Sequence, residues 1–247
     1  MREILFKCEN LSFSYDHKTP ILEKLNLTIY SGEAVSILGA NGCGKSTLLK
    51  MFSGLLFPSS GKLMAFGEEL TAHSMRNDSF AHQYHRRIGF IFQDSDVQLF
   101  CNSVEEELAF GLLQQGFSVD ETRSRIDDIV KLLGIEHLID KTPFKLSGGE
   151  KKKVAIAATL LMNPEVLILD EPTNALDPKT QHWLVQLLNH LHQAGKTLIV
   201  TTHNLDLVGQ LTTRGILFNE MHQIVADDEL SKIMANHDLL RQVNLIY

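Results

Sequence analysis

The chain has 247 residues and 44% apolar content, enough for one large domain or a domain with a subdomain around a sizeable core. Its 21% charged residues are ordinary for a soluble protein, and a net charge of −7 lacks the basic footprint expected of a nucleic-acid binder. No apolar run reaches the roughly 18 residues of a membrane span, and Met1-Arg-Glu-Ile-Leu-Phe-Lys7 has no signal-peptide core. Cys8, Cys43 and Cys101 are odd in number and lack CxxC spacing, so a disulfide framework or zinc knuckle is not expected and a reducing cytoplasm is.

In chain order, residues 3–15 and 25–30 read as strands between turn residues. Ala34–Leu38 is a short buried strand running into a glycine loop, and Lys45–Leu56 is a helix with Leu48, Leu49, Phe52 and Leu55 on one face. Lys62–Phe66 and Arg87–Phe92 are further strands. Between them, Thr71–Arg87 carries His73, His82 and His85 among polar residues and reads as a solvated excursion rather than a nickel or cobalt site. Residues 103–115 and 120–134 have helical periodicity bounded by Asn102-Ser103, Gly116 and Gly134. Glu150–Met162 is a helix, Val166–Leu169 a buried strand, Pro178–Ala194 a helix closed by Gly195, and Thr197–Thr201 another buried strand. Strands near 215–219 and 222–226 precede helix from about 227. The alternation predicts an α/β sheet, parallel at its centre.

Gly39-Ala40-Asn41-Gly42-Cys43-Gly44-Lys45-Ser46-Thr47 matches GxxxxGK[ST] in full, between a strand and a helix. Glycines let successive backbone N–H groups turn inward onto phosphate oxygens, and the following helix adds its positive end. Lys45 reaches the β- and γ-phosphates and the Ser46 hydroxyl can ligate Mg²⁺. Cys43 lies among those N–H groups beside a lysine, surroundings that lower a thiol's pKa and make it reactive. The alternative is a small residue turned away from phosphate. Asp170 ends a buried strand, where a carboxylate can hold Mg²⁺, and Glu171 beside it can activate or orient the attacking water. Alone, that acidic pair reads equally well as a solvated cap.

In Leu146-Ser147-Gly148-Gly149-Glu150, Ser147 and two glycines start a helix that could bind an anion. The segment resembles the signature of ATP-binding-cassette (ABC) ATPases, with Glu150 in place of the usual Gln, and it precedes Asp170 at that family's spacing. The resemblance covers nearly the whole chain. It implies that Ser147 and Gly149, with Gly148 between them, contact the γ-phosphate held by an opposite subunit. It also implies that Tyr15 stacks on adenine, that Gln93 touches Mg²⁺ or water, and that Asp177 in Ala175-Leu-Asp177 helps join two composite sites. His203, 32 residues after Glu171, would contact the γ-phosphate and hold the Glu171 loop. Lys151-Lys152-Lys153 departs from the Gln and Arg of many relatives and reads as a solvated helix face.

Phe92-Gln93-Asp-Ser-Asp-Val-Gln98-Leu99-Phe100 resembles the pattern of energy-coupling-factor (ECF) transporter ATPases, with Ser95 replacing a Pro. The loop would present Val97, Leu99 and Phe100 to a partner helix, or else pack them inward. The fold implied is an α/β P-loop NTPase, RecA-like, as a single ABC domain over 1–247 with an antiparallel β subdomain and a helical subdomain near 94–146. The activity implied is ATP + H₂O → ADP + phosphate, with ATP and Mg²⁺ as cofactors. Its partners would be a transmembrane coupling subunit and a second ATPase copy or paralogue, at the cytoplasmic face of the membrane, serving cobalt/nickel or vitamin uptake. Another ABC transporter class, or a soluble non-transport ABC ATPase, is the alternative. The end at Tyr247 suggests no added regulatory domain.

Overall fold

The apolar runs of this chain build three layers. In the computed structural model, which describes residues 2–16 and 18–246, β1 (Ile4–Phe13) and β2 (Leu22–Tyr30) form a hairpin, and β3 (Ala34–Leu38) leads into α1 (Lys45–Phe52). Then come β4 (Ser60–Ala65), β5 (Glu68–Glu69), α2 (Asp78–Arg87) and β6 (Ile88–Ile91). Helices α3 (Val104–Gln114), α4 (Val119–Leu133) and α5 (Gly148–Leu161) precede β7 (Val166–Asp170), α6 (Pro178–Gln193) and β8 (Thr197–Thr201). The chain continues through α7 (Leu205–Leu211), β9 (Arg214–Phe218), β10 (Ile224–Glu229), α8 (Leu230–Ala235) and α9 (His237–Gln242). Tyr247, on which the tail reading rested, lies outside the described residues.

The large sheet has the order β10-β9-β3-β8-β7-β6, parallel except for the β10 edge, and a smaller antiparallel sheet has the order β2-β1-β4-β5. Strands β3, β7 and β8 are buried along their whole length, as a parallel sheet covered on both faces requires. Period-2 alternation sorts their side chains. Val166 and Ile168 join the layer holding α1 and the antiparallel sheet, where Phe6 stacks on Phe52 at 4.6 Å. Leu167 and Leu169 join the opposite layer under α6. A further apolar cluster is formed by α3, α4 and one side of α5, so α5 touches both the sheet and these helices. Capping boxes start α4 (Ser118 with Glu121) and α5 (Ser147 with Glu150). Among the described residues no helix is long and apolar enough to cross a membrane.

Three elements differ from their sequence reading. Helix α1 stops at Phe52 rather than Leu56, because Gly54 at φ +71 turns the chain and Leu55 and Leu56 donate back to the Lys50 carbonyl. The stretch read as a solvated excursion contains α2, capped by Asn77, whose side chain accepts from the Phe80 N–H. Its Tyr84 is buried and donates its hydroxyl to the Phe52 carbonyl at 2.7 Å, tying α2 to the end of α1. At the C-terminus, β10 runs to Glu229 before helix begins, because Asp227, Asp228 and Glu229 pair with β9 and Arg214 clasps the Asp227 carboxylate at 2.7 Å.

Tyr84→Ala should lower unfolding free energy by about 3 kcal/mol, the cost of removing a buried ring, in urea denaturation. A change near zero would return this segment to a solvated excursion.

Candidate active site at the strand ends

Strands β3, β7 and β8 end at one edge of the sheet, and each delivers a polar group there. From β3 the chain turns through the glycine loop into α1. A Cβ at Gly44 would lie 2.5 Å from the Ile21 carbonyl oxygen, and one at Gly39 would lie 2.9 Å from that of Phe218, so neither position admits a side chain. Lys45 is buried, and its Nζ donates to the carbonyls of Gly39 at 2.8 Å and Ala40 at 3.0 Å, which lays the ammonium across the loop. Asn41, Gly42, Gly44, Lys45, Ser46 and Thr47 line a cavity of about 230 Å³, and Gln93, Glu171 and His203 complete its wall. Tyr15 stands at the rim, 59% exposed, with its hydroxyl 3.3 Å from the Thr47 hydroxyl.

Glu171 adopts φ +44, a left-handed conformation costing about 1–3 kcal/mol in a non-glycine residue. Its N–H is held by the Thr201 carbonyl at 3.1 Å and the Thr201 hydroxyl at 3.0 Å. Its carboxylate sits 3.0 Å from His203 Nδ1. Asp170 is buried, and its Oδ1 accepts from the Thr201 hydroxyl at 2.6 Å. The buried Lys152 ammonium interacts with Asp170 electrostatically, without a direct ion-pair contact among the described residues. A buried carboxylate at the end of β7, together with a hydroxyl (Ser46) and an amide oxygen (Gln93) on the cavity wall, supplies hard oxygen donors of the kind Mg²⁺ takes. His73, His82 and His85 make no such set: no group of three or more His, Cys, Asp or Glu able to hold a metal occurs among the described residues.

Ser147, Gly148, Gly149 and Asp177 do not reach this cavity. Ser147 is exposed, and its hydroxyl and N–H both donate to the Glu150 carboxylate at 2.8 Å, which holds that acid below the usual carboxylate range. Gly148 lines a neighbouring cleft with Asp94, Lys151 and Ala175. Asp177 caps α6 by accepting from Lys179 N–H, Thr180 N–H and the Thr180 hydroxyl. Gly149 abuts the same threonine, since a Cβ there would lie 3.0 Å from its hydroxyl oxygen.

Two readings need correction. The Cys43 thiol is buried in the core beneath Gly39, and burial raises its pKa, outweighing the opposing pull of Lys45, so it is not the activated thiol its neighbours suggested. The lysine run is not a solvated face. Lys152 is 2% exposed and donates to the carbonyls of Phe92 at 2.8 Å and Gln93 at 3.0 Å, with burial pushing its pKa down to about 8. Lys151 pairs with Asp96, and Lys153 Nζ lies 4.9 Å over the Trp183 ring. Gln98 fastens the same loop, bonding Phe92 N–H, the Phe90 carbonyl and the Thr159 hydroxyl. Sequence reasoning gave no site role to Lys152, Gln98, Asn174 on the cavity wall, or Thr201. Lys152 had a signal: with Ile156 and Thr159, both buried, it shares the i, i+4, i+7 face.

One cavity is walled by a phosphate cradle and a carboxylate held by histidine, and a buried carboxylate precedes the latter by one residue at the end of β7. A model of the ABC transporter family matches residues 22–174. The chain belongs to the ABC transporter family. It is an ABC ATPase and binds ATP. The nickel import ATP-binding protein LarO of Lactiplantibacillus plantarum is 41% identical over 98% of this chain and 99% of its own. CbiO1 of Clostridium perfringens, described as part of the ABC transporter complex CbiONQ, superposes with TM-score 0.83 at 37% identity, over 98% of this chain and 95% of that one. The ATP-binding cassette MJ0796, solved as a dimer in a post-hydrolysis state with ADP and Pi, matches with TM-score 0.81 at 30% identity, over 92% and 99% of the two chains.

Native protein should resist maleimide at Cys43 equally with and without Mg-ATP, and label there only on unfolding, as read by mass spectrometry. Fast labelling that nucleotide blocks would restore the activated thiol.

Proposed function

We propose that this chain is the ATP-hydrolysing subunit of an ECF-type importer for cobalt or nickel, working as a head-to-tail dimer with a second copy at the cytoplasmic face of the membrane. The observation that carries the reading is the split site: Lys45, Gln93, Glu171 and His203 surround one cavity, while Ser147 and Gly149 lie outside it on the same chain. A second copy turned head to tail supplies them. The dimeric MJ0796 cassette supports that pairing, and LarO and CbiO1 support the importer class.

In this reading the loop N–H groups from Gly39 to Thr47 and the α1 N-terminus bind the phosphates, and Lys45 supplies the cation beside them. Tyr15, exposed at the rim, stacks on the adenine. Ser46, Gln93 and Asp170 would hold Mg²⁺, which neutralises phosphate charge when bound. Glu171 takes the proton of the attacking water, and His203 fixes its carboxylate through the 3.0 Å contact. Asp177 at the start of α6 carries the joint between the two sites.

Residues 94–146 serve as the helical subdomain that faces the membrane partner, within one ABC domain over 1–247. Val97 and Phe100 are exposed, and Phe100 packs edge-on against the partly exposed Phe110 at 5.0 Å, forming an apolar patch for a partner helix. Leu99, expected with them, is 3% exposed and belongs to the core under α3, so it takes no part in docking.

Glu171→Gln should bind ATP with near-normal affinity and lose on the order of 10²–10⁴ in turnover, measured as steady-state phosphate release alongside equilibrium nucleotide binding. Turnover close to wild type would remove Glu171 from the reaction.

A further inference from the structure

The reaction as read above uses Asp170 and Glu171 but leaves open what aims them. Both meet one hydroxyl. Thr201 closes β8 at the position registered directly across from Asp170, and it is fully buried. Its Oγ1 lies 2.6 Å from Asp170 Oδ1 and 3.0 Å from the Glu171 nitrogen. Elementary chemistry fixes the direction of both bonds. The Glu171 N–H can only donate, so the threonine oxygen accepts there. An ionised Asp170 can only accept, so the single hydroxyl proton goes to Oδ1. The 2.6 Å separation is that of a charge-assisted O–H···O⁻ bond.

We propose that Thr201 is a positioning residue for the ATPase reaction: its hydroxyl sets the rotamer of the metal-binding Asp170 and the strained backbone of Glu171 together. With Oδ1 engaged by the hydroxyl, Asp170 would keep its other carboxylate oxygen for a metal ion. With its N–H held by both Thr201 Oγ1 and the Thr201 carbonyl, Glu171 stays at φ +44 and keeps its carboxylate on His203. Partners of this kind, one bond removed from a metal, typically govern 10–100-fold in metal affinity or activity. Thr201 does not line the cavity, and its hydroxyl meets Asp170, the Glu171 N–H and, at 3.5 Å, the Leu169 carbonyl.

The inference rests on the assignment of Asp170 to the metal, so its test carries a separate check on that assignment. Thr201→Val keeps the shape and removes the hydroxyl, and Thr201→Ser keeps the hydroxyl and removes the methyl. Mn²⁺ binding to the protein–ADP complex, followed by electron paramagnetic resonance, reads the metal site without turnover. Thr201→Val should bind Mn²⁺ roughly 10–100-fold more weakly, with metal-free ADP affinity unchanged and turnover reduced. Thr201→Ser should restore Mn²⁺ affinity to within about threefold of wild type, because it restores the donor. If Thr201→Val does not fold, Thr201→Ala supplies the same comparison against Thr201→Ser. Wild-type Mn²⁺ affinity in the hydroxyl-less variant, or equal weakening in Thr201→Ser, overturns the inference. Asp170→Asn separates the two claims: if it too leaves Mn²⁺ binding unchanged, the metal assignment has failed. If it weakens binding while Thr201→Val does not, only the role of Thr201 has.

Discussion

Every feature of the site depends on the parallel register of β3, β8 and β7. Ile37, Thr201 and Asp170 lie in one row across the sheet. The phosphate loop begins two residues beyond that row on β3, Glu171 follows one residue beyond it on β7, and His203 two residues beyond it on β8. A one-residue slip would turn each side chain to the other face of the sheet. The apolar alternation that sends Ile168 toward α1 and Leu169 toward α6 forbids the slip. Burial of the strands is therefore what sets the distances between reactive groups.

That register also explains how charge survives below the surface. Lys45, Asp170, Glu171 and Lys152 are all largely buried, where an unsatisfied charge would cost several kcal/mol. Each meets fixed dipoles or a polar partner instead. Two loop carbonyls take Lys45, two carbonyls at the end of β6 take Lys152, one hydroxyl takes Asp170, and histidine takes Glu171. Because Lys152 rides on α5, the helix capped by Ser147, one buried ammonium joins the segment holding Gln93 to that helix.

The sequence was most legible where structure is local and repetitive. The glycine loop, Asp170-Glu171 and the buried strands declare themselves through spacing and apolar runs, and the two-sheet α/β fold follows from them. Legibility failed where a single tertiary contact decides the outcome. Helix α2 buries only Tyr84, so it has no periodic stripe to read. Leu99 and Phe100 are adjacent and equally apolar, yet the turn after Gln98 sends one into the core and the other into solvent. Cys43 has neighbours that favour thiolate, but a loop this tight turns its thiol inward, and desolvation outweighs charge. Thr201 was invisible because its role comes from a strand pairing 31 residues away from Asp170 in sequence.

The central claim is that one chain carries two halves of two different sites. Mixing two variants tests it most directly. Lys45→Ala removes the phosphate cation and keeps the signature, while Ser147→Arg blocks the signature and keeps the phosphate loop. Each alone should be inactive. Mixed in equal amounts they should recover up to about a quarter of wild-type ATPase activity, since random pairing makes half the dimers mixed and each of those has one intact site of two. A mixture as inactive as its parents, with cross-linking proving that mixed dimers form, would contradict the account.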